Sequence, residues 1–360
     1  MLRSLLLTIG ITGSLLLTAC SGDYRELARG ANNEIVVVMD STKWDSETAQ
    51  AIEATFGKYV MTLPNPEPFY DLVFVNIRNN DHLERVKKNK NLIFAAPLDE
   101  DSNAGRIIRG LLDEQVESRV REGESFAFPF EDQWYRDQWA MILTSTSDSL
   151  LADKIKNTDQ ALVNSLLERE LDRWEYFVYE KKEQVQYSDS LWDENGFRVR
   201  IQHDYIKNID TTNFISYHRY LPNNDRWMWI WWQDDVNDIQ FLDNDWINAT
   251  RDSLLEKYIR GSRDSSYLAT EYRRPVNTKS FQKGRLLTYE TLGTWQMIND
   301  AMGGPFVNFT YYDPDTKRLF MVEYAQFAPS VRKKLRFVRQ FRAMGRTFES
   351  DSTWNTNPAI

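Results

Sequence analysis

The 360-residue chain has a single cysteine, Cys20, and only three histidines, His82, His203 and His218. One thiol excludes intrachain disulfides and cysteine-ligated zinc. No G-x-S-x-G elbow is present, and Ser330-Val-Arg-Lys333 matches S-x-x-K without the partner motifs of that chemistry, so serine catalysis has no signature. A basic surplus is also missing: 44 Lys and Arg stand against 53 Asp and Glu, a net charge of −9 that argues against a nucleic-acid partner. With so many carboxylates, pairs suited to glycan cleavage are inevitable and nothing selects one. No catalytic residue, cofactor or metal is assigned. The longest apolar run, Leu5 to Leu17, is about 13 residues, short of the roughly 20 a spanning helix needs.

That run is nonetheless informative. Arg3, the apolar stretch and the small residues of Leu17-Thr18-Ala19-Cys20 resemble a bacterial lipoprotein signal. The reading places a diacylglyceryl thioether on Cys20, cleavage before it and an acylated (palmitate-type) new amino terminus; an ordinary secretory signal is the alternative. Lipidation would leave the mature chain without a free thiol, removing thiol catalysis too. Two or three acyl chains, at about 0.8 kcal/mol per buried methylene, anchor a body that needs no further membrane element. Residues 1–19 are read as signal and 20–33 as tether.

Residues 34–190 alternate strand-like and helix-like patterns. Glu34–Met39, Leu72–Ile77, Leu92–Ala96 and Trp139–Thr144 read as strands; Asp45–Lys58, His82–Lys88, Gly105–Val120 and Ser149–Lys182 read as helices. This is an N-terminal, α/β-like domain. Residues 191–348 change character. Phe214 to Met228 aligns without gaps with Phe306 to Phe320, 92 residues on, each copy a strand, a Pro-containing turn and a second strand, followed by the helical patterns Trp246–Ile259 and Pro329–Met344. The expected class is α+β, with mixed and antiparallel sheets carrying packed helices and the hairpin-helix unit repeated; residues 349–360 form a tail.

Two passages, Leu63-Pro-Asn-Pro-Glu-Pro-Phe-Tyr-Asp-Leu72 with Asn91–Phe94, and Glu290–Met297 through Met302-Gly-Gly-Pro-Phe306, resemble a family of Bacteroidetes lipoproteins catalogued as domain of unknown function 4837. With the lipoprotein start, the resemblance would extend over the mature chain. It implies a diderm envelope setting and no catalytic residues. Physically, Gly303-Gly304-Pro305 permits either a positive φ or a close backbone approach, in a pocket wall or in a plain turn. Glu67, between Pro66 and Pro68, reads as a solvated charge on a stiff segment.

The densest aromatic run is Trp227-Met-Trp229-Ile-Trp231-Trp232. Trp227, Trp229 and Trp231 share one strand face. They are either buried like the opposite face or partly exposed as a platform for sugar rings or a partner protein, and they are the candidate binding residues. His203, Asp204 and His218 on neighbouring strands, and the loop with Asp234, Asp235, Asp238, Asp243 and Asp245, are candidate metal ligands; the loop lacks the Gly and Glu of a calcium hand and reads as a solvated turn. The basic segment Arg332–Arg346 reads as an amphipathic helix whose charges are a solvated face, or else meet an anionic partner or lipid headgroups. Asp followed by Ser or Thr and then a small aliphatic residue, Met or Thr occurs at Ser41, Ser149, Ser190, Thr211, Ser253 and Ser352, against about one or two expected from composition. The pattern resembles the O-glycosylation acceptor of that bacterial phylum; helix capping is the alternative at Ser149 and Ser253.

The expected protein is a lipid-anchored envelope protein that binds a partner protein or glycan, not an enzyme, with a hydrolase of glycan or peptide as the alternative. Ser21 follows the cysteine where Asp would favour inner-membrane retention, and Asp23 and Glu26 are interrupted by Arg25, which places the chain on the periplasmic face of the outer membrane. Cys20→Ser is expected to block processing and move the protein out of the detergent phase; a variant that still partitions with membranes and matures at normal size would refute the anchor.

Overall fold

The computed structural model describes residues 23–263 and 265–351; Cys20 and Ser352 lie outside them. The first sheet has the order β4-β1-β5-β7-β6. Its strands are β1 (Glu34–Val38), β4 (Asp71–Val75), β5 (Asn91–Ala95), β6 (Ala127–Glu131) and β7 (Trp139–Leu143). The first four in that order are parallel, and β6 is an antiparallel edge. The period of two is plain in β1: Ile35 and Val37 face one core and Val36 and Val38 the other, so both faces need cover. Helices α1 (Glu47–Phe56), α5 (Asp148–Asn157) and α6 (Asp159–Tyr179) supply it on one side, and α2 (Asn80–Val86) and α3 (Asn103–Leu111) on the other. Strand β6 was not anticipated because Pro129 breaks its pattern; an edge strand tolerates a missing N–H. The helical stretch from Gly105 breaks where Asp113 caps α4 (Glu114–Arg121), accepting from Val116 N at 2.8 Å. The one from Ser149 breaks at Thr158, the residue between α5 and α6. A short ribbon, β2 (Tyr59–Val60) with β3 (Glu67–Pro68), follows α1.

After α7 (Val185–Asn195) and the short β8 (Phe197–Arg198) comes a second, antiparallel sheet ordered β12-β14-β15-β16-β11-β10-β9, with β13 also paired to β14. These strands are β9 (Ile206–Asp210), β10 (Phe214–Arg219), β11 (Asp225–Gln233), β12 (Leu268–Thr270), β13 (Asn277–Lys283), β14 (Leu286–Met297), β15 (Gly303–Asp313) and β16 (Arg318–Phe327). Helix α8 (Asn244–Tyr258) covers one face and α9 (Leu335–Gly345) the other, and β17 (Glu349–Ser350) closes on β8. The fold is therefore α+β.

The two aligned segments are adjacent hairpins joined through β11 and β16. Their gapless alignment does not carry through the register. Phe214 pairs Trp231, whereas Phe306 pairs Ala325 rather than Glu323. The innermost pairs are Arg219 with Arg226 and Asp313 with Arg318, so the second connection is two residues shorter, a difference that leaves side chains on their original faces. The helices that follow take opposite faces of the sheet.

Helix α9 joins the halves. Its N-terminus has no capping side chain of its own. Glu67 fills that role: its carboxylate accepts from the backbone N–H groups of Lys334 and of Leu335, the latter at 3.3 Å. The expectation of a solvated Glu67 fails for that reason, since the residue is buried. One turn on, Arg339 pairs with Glu170 of α6 at 2.8 Å, both essentially unexposed, and donates to Phe69 O. Leu167 and Leu171 of α6 pack on Ala343. The basic face is thus largely engaged within the protein: Arg342 forms a two-pronged pair with Glu290, at 2.6 and 2.9 Å, and Arg346 meets Glu168 and Asp172.

Arg339→Met should destabilise the chain by about 3–5 kcal/mol, because it strands the buried Glu170 charge. Glu67→Ala should cost about 1 kcal/mol, as loss of a cap does. Urea unfolding measures both; equal small losses would show that the ion pair does not hold α9.

Candidate functional site

The inward face of the second sheet beneath α8 holds a cavity of about 430 Å³. Strand alternation brings Ser216 and His218 of β10 to the same face, where register sets His218 beside Trp227 of β11. Tyr258, the last residue of α8, and the segment after it to Ser262 close one side; Trp295 and Met297 of β14, Met302 and Phe327 supply further apolar wall. Trp227 meets Trp295 edge-on, ring centres 5.2 Å apart, and His218 stacks on Tyr220 at 3.7 Å.

Three lining residues carry polar atoms that have no hydrogen-bond partner among the described residues: Ser216 Oγ, His218 Nε2 and Trp227 Nε1. Leaving such a group unmade costs about 1–3 kcal/mol. Burial pushes the His218 imidazole below its usual range, opposed by the nearby Asp225 carboxylate, so the ring is neutral at neutral pH. Ser216 and His218 sit two residues apart on an extended strand, about 7 Å, without a hydrogen bond between them. Asp225 accepts from Leu221 N at 3.3 Å rather than from the imidazole. A nucleophile, base and orienting acid in contact are not what this wall presents. A wider depression of about 500 Å³ around Tyr176, Tyr179 and Arg200 is open, and its Glu175 already pairs with Arg200 at 2.9 Å.

Of the anticipated tryptophans, Trp227 lines the cavity, Trp229 is fully buried against Phe214, and Trp231 is partly buried in the same cluster. The row faces α8 and is not an open platform. Sequence reasoning missed Ser216, Tyr258 and Trp295, and it read His218 as a possible metal ligand; two polar residues on the Phe214 face of an otherwise apolar strand were the available signal. His203 Nε2 lies 3.9 Å from the Asp204 carboxylate, which Arg219 holds more closely at 2.5 Å, and His218 stacks on Tyr220 instead. In the acidic loop, Asp234 pairs with Arg318 at 2.6 Å and Asp243 caps α8. No group of three or more His, Cys, Asp or Glu among the described residues is arranged to hold a metal ion.

Ser41, Ser149, Thr211 and Ser253 are exposed, and Ser190 is half-buried with its hydroxyl donating to Glu194. Capping does not explain Ser149 and Ser253: Ser147 caps α5, and Ser253 lies inside α8.

The Gly303-Gly304-Pro305 turn resolves in favour of close approach. Neither glycine has positive φ. A β-carbon at Gly304 would overlap the Gln326 carbonyl oxygen and crowd Trp295 Nε1, which donates to that same oxygen at 3.2 Å.

An α+β body with an aromatic cavity is the class this geometry defines. Residues 184–347 match the family model of a domain of unknown function, DUF4837, and residues 28–178 match a second, DUF8532. The similarity to DUF4837 expected along the whole mature chain therefore covers its C-terminal part, and Leu63–Leu72 falls in the other match. No curated protein matches. Among solved structures, the Ran-binding protein Mog1p of Saccharomyces cerevisiae is 8% identical over 44% of this chain and 93% of its own, with a TM-score of 0.29. A STAR-related lipid transfer protein fragment from Xanthomonas axonopodis is 10% identical over 40% and 94%, with a TM-score of 0.21. Overlays this loose carry no argument about fold or ligand.

Gly304→Ala should cost about 1–3 kcal/mol through overpacking and disturb the Trp295 environment. Urea unfolding with near-ultraviolet circular dichroism checks it; unchanged stability and spectrum would show that the close approach is dispensable.

Proposed function

We propose that this chain is a non-enzymatic binding protein of the bacterial envelope, lipid-anchored through Cys20 at the periplasmic face of the outer membrane, that holds a small molecule in the cavity beside α8. One observation carries the binding half: a cavity of about 430 Å³ walled by Trp227, Trp295, Tyr258 and Phe327, with the polar side chains of Ser216 and His218 in its lining. Apolar walls with a few converging polar groups are the general build of ligand sites. The envelope half rests on Leu17–Cys20 and on the Bacteroidetes lipoprotein resemblance. Exposed Ser41, Ser149, Thr211 and Ser253 offer hydroxyls for O-linked sugar, and an envelope protein or glycan partner would meet the outer surface rather than the buried Trp row. For a hydrolase, the wall lacks a nucleophile in contact with a base.

Native mass spectrometry of the protein released from its own membranes tests the binding half. A small-molecule adduct is expected on the wild-type chain and its loss in Leu268→Trp, which fills the cavity. An adduct-free wild type, or an adduct retained by the filled variant, would sink the reading.

A further inference from the structure

Most of the segment that reads as a tether is fastened to the body. Glu26 O accepts from Arg136 N at 3.0 Å and Ala28 N donates to Arg136 O at 2.9 Å, while Arg29 N donates to Lys88 O and its carbonyl accepts from Lys90 N, both at 2.7 Å. Ala28 is buried in that contact. Asn32 O accepts from Asn91 Nδ2 at 2.9 Å, and the chain then enters β1. Since Arg136 precedes β7 and Lys88 to Lys90 precede β5, residues 23–33 form a strap across the end at which the parallel strands of the first sheet begin. Only Ser21 and Gly22 stand between Cys20 and Asp23, so the covalent reach between the two Cα atoms is at most about 11 Å. A lipid on Cys20 would bring its membrane against the strapped end.

The chemistry of that end suits a lipid surface. Tyr24 is 90% exposed and Leu27 59%, an aromatic ring with a polar tip and an apolar side chain of the kinds that settle at headgroup level. The strap itself is neutral, Asp23 pairing with Arg25 and Glu26 lying 3.5 Å from Arg29. Behind it, Asp132 and Asp137 are neutralised from within by Arg169 and Arg173, at 3.0 and 2.7 Å. Lys88 and Arg136, the residues that hold the strap through their backbones, therefore present positive charge on a chain whose net charge is −9.

Resting on the reading that Cys20 is lipidated, we infer that the strapped end of the first sheet is a docking face for the anionic lipid surface in which the anchor sits. Tyr24 and Leu27 lie at headgroup level, and Lys88 and Arg136 face the lipid phosphates. The body rests on the membrane in one orientation instead of swinging on a leash.

The lipidated full-length chain, reconstituted into phosphatidylcholine vesicles with and without phosphatidylglycerol, tests this. Because the thioether consumes the Cys20 thiol, Gln133→Cys and Glu124→Cys each offer one site for a fluorescent label; both positions are exposed, and they flank β6 at opposite ends of a strand roughly 17 Å long. With a headgroup nitroxide lipid in the vesicles, the label at 133, beside the strap, is expected to be quenched several-fold more than the label at 124, and the contrast to shrink without phosphatidylglycerol or in Lys88→Glu. Ala28→Pro, which removes a strap hydrogen bond, should bring the two labels together. Equal quenching at the two sites, stronger quenching at 124, or a contrast indifferent to phosphatidylglycerol overturns the docking face while leaving the anchor. A chain whose mass shows no lipid on Cys20 overturns the anchor reading and takes this inference with it.

Discussion

Helix α9 starts without its own cap, and the relation between the two sheets depends on the carboxylate that supplies one. Four N–H groups at a buried helix start must be paired, and the partial positive charge there favours an anion. Glu67 supplies the anion and pairs two of those N–H groups, of Lys334 and Leu335, from the opposite end of the sequence. Its backbone is stiffened by Pro66 and Pro68, so the carboxylate arrives in one orientation at low entropic cost. With the start of α9 fixed, Arg339 reaches Glu170, and its guanidinium lies over the Phe69 and Tyr70 rings at 5.0 and 4.7 Å. The Leu-Pro-x-Pro-Glu-Pro string is thus a docking element.

This explains which parts of the structure could be read from the residues. The strands at Glu34, Leu72, Leu92 and Trp139 were legible because fully buried parallel strands write themselves as continuous apolar runs. The hairpins at Pro222 and Pro314 were legible from turn chemistry. What failed was non-local. Nothing near Glu67 shows that a helix begins beside it, and the period of Arg332–Arg346 cannot distinguish a cationic face meeting water from one meeting Glu170 and Glu290. The candidate site divides the same way: Trp227 stood out by composition, whereas its neighbours Ser216, Tyr258 and Trp295 are brought to it by sheet order alone.

Helix α8 shows two solutions to polar groups in one core. Under its middle, Arg251 pairs with Glu323, both fully buried, and also reaches Thr270 at 2.7 Å, while Asn308 donates to Glu323 at 3.2 Å. The guanidinium lies 3.6 Å from the centre of the Phe306 ring. Burial pushes the Glu323 carboxyl up despite the arginine, the mark of a pair whose desolvation cost is comparable to its attraction. Such a pair adds little net stability but penalises any shift of α8 over β16. At the other end of the helix no side chain reaches Ser216 or Trp227 in this way. The sheet is therefore clamped at one place and left with unmade hydrogen bonds at others, Ser216 and Trp227 in the cavity wall among them.

The two family matches, 28–178 and 184–347, meet between α6 and α7, yet the physical seam lies elsewhere. Helix α6 faces both ways: Leu162 and Leu166 fill the first sheet's core, while Leu167 and Leu171 pack on α9. Glu170, between them, accepts from Trp174 of its own helix and forms its ion pair with Arg339 of the second match. Glu67 likewise belongs to the first match and completes a helix of the second. Each part therefore leaves a buried group that the other completes: Glu170 of the first pairs with Arg339, and the start of α9 in the second is capped by Glu67. The matches therefore mark segments of sequence, while the unit that satisfies its buried polar groups spans both, and the cavity beside α8 is held on a sheet whose opposite face is fixed by residues of the N-terminal half.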